Sequence, residues 1–292
     1  MKGLYKKLTV KIFAVIFTVT LLLCCFAACG NGNSNKIVVM GSTSVQPYAE
    51  LLAHEFEQIH KARKVKIDVT GGGSAAGITA ANNGYAQIGM SSRNLKEAEK
   101  AGLDEFVIAT DGLAIIINPN NPILKKTGGS SLNLTSEQVR DIYSGGIKEW
   151  NDEKLGGDKG EIHVITREDG SGTRTAFEDF IMNKQRIINT AAVSSANGFI
   201  RYQVSVDAGA IGFISLGLVD GENKVKGNKP VVAVSLDGVD ATEANIENGT
   251  YGLSRPFIFM TKGEPEGLAK EFIEFVTGGD GKAVLKAKGL FV

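Results

Sequence analysis

After an apolar run from Ile12 to Cys29 that contains no charged residue, the chain alternates short β-branched runs with stretches of helical spacing. That alternation predicts an α/β fold with a largely parallel sheet. KIVVM (Lys36 to Met40) is the first predicted strand, and Pro47 opens a helix through YAELLAHEFEQIHK, whose apolar residues recur at helical spacing. VKIDVT, AQIGM, EIHVITRE and AIGFISLG are further strands; ITAANNG, LKEAEKAG, TAFEDFIMNK and GLAKEFIEFVTG are helices. Thr135 or Ser136 starts another helix with a capping box, and Gly145 and Gly146 stop it.

Two apolar runs have a different role. FVIATDGLAIIINPNNP (from Phe106) is too long for one ordinary strand and predicts a passage from one lobe into a second. RPFIFMTKG, from Arg255 to Gly263, predicts the return. A chain that leaves a lobe, builds another and comes back encloses a cleft, the usual seat of a small ligand.

Three predicted strand-to-helix turns share one design: Gly41-Ser42-Thr43-Ser44, Gly71-Gly72-Gly73-Ser74 and Asp169-Gly170-Ser171-Gly172-Thr173. At such a turn the first helical N–H groups lack partners, glycine admits close approach, and hydroxyls add donors. One of these alone is an ordinary helix start. Three of them, with Ser91-Ser92-Arg93 after another strand, point to a single tetrahedral oxyanion. Arg167 ends an apolar strand beside the third turn and offers it a charged fork; Arg174 lies in the following helical turn.

Composition narrows the function. In 292 residues, 32 Lys and Arg balance 32 Asp and Glu, so the basic footprint of a nucleic-acid binder is absent. The balance shifts once the N-terminus is read as a targeting segment, with Lys2, Lys6, Lys7 and Lys11 before the apolar run. Removal of residues 1–28 leaves 28 basic against 32 acidic side chains, a mildly acidic chain. Two of the three cysteines, Cys24 and Cys25, lie inside the apolar run, and FAAC ending at Cys29 resembles a bacterial lipobox. That resemblance implies cleavage before Cys29, lipid on its sulfur, and a cell-membrane location on the extracytoplasmic face. Residues 29–36 are then a flexible tether.

Beyond the tether the resemblance becomes specific. GSTSVQPYAE, GGGSAAGI, IGMSSR, DGLAIIINPNNP, IYSGGIKEW and REDGSGTR, in this order, are similar to the phosphate-binding subunit of bacterial ABC phosphate importers, over essentially all of Lys36 to Val292. The resemblance implies a two-lobed periplasmic-binding-protein fold of type II with two hinge crossings. Lobe 1 is expected at 37–116 and 253–292, and lobe 2 at 117–252. It also implies capture of inorganic phosphate and its delivery to the permease and ATPase subunits of an importer, by a monomer without a cofactor or metal. The implied phosphate ligands are Thr43 and Ser44 at the first helix start, Ser74 at the second, and Arg167, Ser171, Gly172 and Thr173 at the third. Some family members carry an aspartate directly after the serine matching Ser91. Here that position is Ser92, followed by Arg93, so both are kept as candidates and the acidic group is expected to be Asp111.

An enzyme is disfavoured. His54 and His60 belong to one helix and His163 to a strand, and no HExxH, paired cysteine ligands, G-x-S-x-G elbow or G-x-x-x-x-G-K-[ST] loop occurs. Gly71-Gly72-Gly73 followed by Gly77 lacks the spacing of a dinucleotide fingerprint. The alternatives that stay open are another tetrahedral oxyanion, such as sulfate or molybdate, and a surface lipoprotein of adhesion or signalling.

Overall fold

The computed structural model describes residues 35–127, 132–220 and 230–292. The targeting segment, Cys29 and nearly all of the tether lie outside the described residues. The strands are β1 (Lys36–Gly41), β2 (Lys66–Gly71), β3 (Ile88–Ser91), β4 (Leu103–Ile117), β5 (Asn133–Leu134), β6 (His163–Arg167), β7 (Ala192–Ser194), β8 (Ala210–Ser215), β9 (Val232–Ala233), β10 (Ser235–Leu236) and β11 (Ser254–Lys262). Nine of them form one sheet in the order β2-β1-β3-β11-β4-β8-β6-β7, with β9 beside β4, and β5 and β10 form a separate pair.

The sheet is mixed rather than largely parallel. β1 and β3 pair in parallel, as do β6 with β8 and with β7, but the central strands β11 and β4 are antiparallel to each other and to β3 and β8. The reason is topological: the second crossing must run back against the first.

β4 is fifteen residues long and is shared by both halves of the sheet. Its first part, Leu103 to Gly112, pairs with β11, and its second, Leu113 to Ile117, pairs with β8. Ile108 and Ala109 pack in a core with Val39, Leu52, Phe56, Phe259 and Phe272. Leu113, Ile115 and Ile117 instead pack with Tyr143, Trp150, Phe177 and Phe213. Each fully buried Leu, Ile or Phe of this kind contributes about 1.5–3 kcal/mol, so these two cores define the lobes. By core membership the first crossing falls at Gly112–Leu113, earlier than the expected boundary after residue 116. The continuous apolar run could not reveal this, because hydrophobicity alone does not say which core a residue joins. On the return, Leu253 still packs in the second core and Phe257 in the first, so by core membership the second crossing falls between them, just after the expected start of the returning segment at residue 253.

The helices follow their sequence signals closely. Gln46–Ile59 has its proline in the first turn. Ser136–Ser144 is capped by Thr135, which accepts from the Gln138 N–H while Gln138 accepts from the Thr135 N–H, and it ends at Gly145 in the left-handed conformation. Elements beyond the expected pattern include a helix at Asn197–Val206 following β7 and a last helix at Gly279–Lys286 after Gly267–Thr277. Among the described residues no helix is long and apolar enough to cross a membrane.

Candidate functional site

The three Gly/Ser/Thr turns meet where the lobes touch. At the first, the Ser42 hydroxyl accepts the N–H groups of Ser44 (3.2 Å) and Val45 (3.4 Å), so Ser42 shapes the turn ahead of the helix and leaves the Ser44 hydroxyl for other partners. At the second, Ser74 is fully buried and its hydroxyl accepts the Ser92 N–H at 3.1 Å. At the third, Ser171 is the N-cap and accepts the Arg174 N–H at 3.3 Å, so Thr173 in the first helical turn is left to face the other lobe.

Close packing here depends on Gly172. A Cβ at this residue would lie 2.2 Å from Ser74 Oγ and 2.7 Å from Ser92 Oγ, distances that real Cβ contacts do not show. The second lobe's turn therefore rests directly on two serines of the first. The Ala75 N–H also donates to the Gly170 carbonyl at 3.1 Å across the same interface.

Around this contact the polar groups form one network. Ser44 Oγ and Thr173 Oγ1 lie 2.7 Å apart, joining the lobes. Asn197 Nδ2 donates to Ser44 Oγ at 2.8 Å and Arg255 Nη2 does so at 3.2 Å. Arg167 donates from Nη2 to Thr43 Oγ1 at 3.0 Å and from Nη1 to Thr173 Oγ1 at 3.4 Å. Ser42 donates to Ser92 Oγ at 2.9 Å. Ser44, Ser74, Ser92, Arg167, Ser171 and Thr173 are all at most 2% exposed. Buried donors of this density are costly unless paired, and the two-lobe contact is what pairs them.

Arg167 is fixed by its neighbours. Glu168 accepts from its Nε and Nη2, both at 2.8 Å, and the Ser194 carbonyl accepts from Nε at 3.2 Å. Arg174 is not part of the network: it binds Glu178 and Asp169 and the Arg167 carbonyl.

Asp111 sits on β4 directly opposite Arg255 of β11. Its Oδ2 accepts from Arg255 Nη2 at 3.0 Å and Nε at 3.2 Å, and its Oδ1 accepts the Ser215 hydroxyl at 2.7 Å. Burial pushes the carboxyl above the usual carboxylate range, while Arg255, Ser215 and the Gly112 N–H act against that shift. The same burial pushes the Arg255 guanidinium below its ordinary value, opposed by Asp111.

Of the residues expected from the sequence, Thr43, Ser44, Ser74, Ser92, Arg167, Ser171, Gly172 and Thr173 are brought together, and Asp111 joins them through Arg255. Arg93 is not. Its guanidinium is bidentate on Glu99, at 2.7 and 2.8 Å, with the Asn94 carbonyl as a further acceptor, so its charge is spent within its own loop. Arg255, Asn197 and Ser215 escaped the sequence reading, and Ser42, though part of the first turn, was not among the expected ligands. Arg255 opens the RPFIFMTKG run, where its charge at the head of an apolar strand was the available signal; Asn197 lies in a Ser/Asn/Gly segment with no distinguishing pattern. Among the described residues no group of three or more His, Cys, Asp or Glu is placed to hold a metal ion.

Residues 27–280 match the model of the PBP superfamily domain. The phosphate-binding protein PstS of Staphylococcus epidermidis is 31% identical over 83% of this chain and 74% of its own length. That of Bacillus subtilis is 27% identical over 87% of this chain and 84% of its own. Among solved structures, a phosphate-bound ABC transporter substrate-binding protein from Clostridium perfringens is 38% identical, with a TM-score of 0.77, covering 88% of this chain and 99% of that one. An ABC-type phosphate transport receptor from Vibrio cholerae is 36% identical with a TM-score of 0.68, at the same coverage.

Proposed function

The chain belongs to the PBP superfamily, and from this membership and its likeness to phosphate-binding proteins we propose that it captures inorganic phosphate outside the cytoplasm and delivers it to an ABC permease. One observation carries the reading: Ser44 and Thr173, from different lobes, meet at 2.7 Å beside the buried guanidinium of Arg167. An oxyanion entering here exchanges hydroxyl–hydroxyl contacts for charge-assisted ones, which are about twice as strong.

In this reading Thr43, Ser44, Ser74, Ser92 and Thr173 donate to phosphate oxygens, Arg167 balances their charge, and Gly172 sets how closely the lobes meet. Ser171 holds the third turn in shape. Asp111 receives an O–H of the ligand, which phosphate has and sulfate lacks. The lobes close about β4 and β11, a hinge motion in which each lobe keeps its own core. The protein acts as a monomer, tethered to the membrane by lipid on Cys29, and its partners are the permease and ATPase subunits of an importer.

Isothermal titration of the purified soluble domain with phosphate and with sulfate tests the proposal. Saturable heat from phosphate and none from sulfate is expected. Heat from sulfate alone moves the assignment to that anion, and no heat from either overturns anion capture.

A further inference from the structure

Arg255 is 3% exposed, and its Nη1 is buried without a hydrogen-bond partner. A charged donor left in that state is expensive, and native structures keep one where a ligand or other group is to meet it. The orientation of the guanidinium indicates what that group is. Asp111 occupies the Nε and Nη2 side of the fork, while the outer N–H of Nη2 reaches Ser44 Oγ at 3.2 Å. The end edge, carrying Nη1, is therefore turned toward Ser44.

Arg167 is built the same way. Glu168 occupies its Nε and Nη2 side, and its end edge reaches Thr43 and Thr173. Two guanidiniums, each gripped along one side by a carboxylate, thus present their ends to the one hydroxyl pair, Ser44 and Thr173. Arg167 and Arg255 are close enough to repel, and an anion bound at that pair turns the repulsion into attraction to a shared partner.

We propose that Arg255 is a second arginine of the oxyanion site, donating from Nη1 to the bound anion opposite Arg167, with Asp111 holding it in place. The proposal rests on the reading of the site as a phosphate cleft. It adds a residue from the return hinge strand, so ligand binding grips the hinge itself as well as the two lobes.

The test must separate contact with the anion from the cost of stranding Asp111. Replacing Arg255 alone leaves a buried carboxylate without its counter-ion, so the informative comparison is Asp111→Asn against the neutral double variant Arg255→Gln/Asp111→Asn. Both are titrated with phosphate and sulfate after circular dichroism has established folding. If Nη1 meets the anion, the double variant binds phosphate at least ~30-fold more weakly than Asp111→Asn, the lower end of what a buried charged partner contributes. A difference below about threefold overturns the proposal, leaving Arg255 as the counter-ion of Asp111 only. Should the double variant not fold, Arg255→Lys keeps the charge opposite Asp111 but lacks the fork. A loss of tenfold or more is then expected, and wild-type affinity overturns the proposal. If the wild type takes sulfate and not phosphate, the phosphate reading fails while the same comparisons, made with sulfate, still judge Arg255.

Discussion

Asp111 and Arg255 are register partners on the two antiparallel strands that join the lobes, and their side chains close a buried ion pair at 3.0 Å. The pair stands where β4 passes from one core to the other, so a charge that serves the cleft is also part of the hinge. Breaking a buried pair by removing one partner costs about 3–5 kcal/mol, because the other charge is left uncompensated. Arg255→Gln should destabilise the protein on that scale in urea unfolding, and Arg255→Gln/Asp111→Asn should be the more stable of the two. A double variant no more stable than the single would show that the pair contributes little to the fold.

Arg167 is the charged group whose loss should be felt most directly in binding. It is 1% exposed and links Thr43 of one lobe with Thr173 of the other. Arg167→Ala should weaken phosphate binding by roughly 2–5 kcal/mol. A loss below about 0.5 kcal/mol would remove Arg167 from the site.

Much of this arrangement was legible beforehand because glycine- and serine-rich helix starts are local signals. The motifs at Ser44, Ser74 and Thr173 each carry their backbone geometry in the sequence, and the hinge strands announced themselves by length and by the charge at Asp111. What was not legible depends on pairing between distant segments. Nothing near Arg255 says that its strand lies antiparallel to β4 in the register that sets it against Asp111, and nothing near Asn197 says that its amide reaches Ser44. Arg93 misled for the same reason: Glu99, six residues on, claims it through a loop whose shape a motif does not state.

Gly172→Ala should impair closure without impairing folding. The added methyl would lie 2.2 Å from Ser74 Oγ, across the lobe contact and outside both cores. Phosphate affinity should fall about fivefold or more by the general cost of overpacking, about 1–3 kcal/mol. The melting temperature without ligand should stay within a few degrees. Unchanged affinity would mean that the lobes do not need this close approach.

Arg93 offers a contrast, since its charge is committed to Glu99. The Glu99 carboxyl is held below the usual range, first by its hydrogen bond with Arg93. The unfolded carboxylate titrates near ~4.3. A lowered folded pKa gives stability that is complete above that value and is lost as the pH falls through the folded one. Arg93→Ala should therefore lower the melting temperature at pH 7, with the gap to wild type narrowing toward pH 3, while phosphate affinity at pH 7 changes less than about threefold. An affinity loss of tenfold or more would return Arg93 to the site.

The last expectation concerns how phosphate is told from sulfate. Near neutral pH phosphate keeps at least one O–H and sulfate has none, so a carboxylate in the cleft accepts a hydrogen bond from the first and repels the second. Sites built around a buried partner for a ligand's O–H reject analogues lacking it by ~10⁴ or more. Asp111 is the carboxylate for this role: it is 1% exposed, its Oδ1 holds the Ser215 hydroxyl, and its partner Arg255 reaches Ser44. Arg255 and Ser215 stabilise its ionised form against burial, which is the form able to accept. Asp111→Asn removes the repulsion and presents either an amide N–H or a weaker acceptor. Sulfate binding should then rise, and the ratio of phosphate to sulfate affinity should fall at least a hundredfold, more than the affinity for phosphate itself. Competitive titration of the two anions against the Asn variant decides it: a ratio as high as in the wild type would place the proton acceptor elsewhere and leave Asp111 with the single task of holding Arg255.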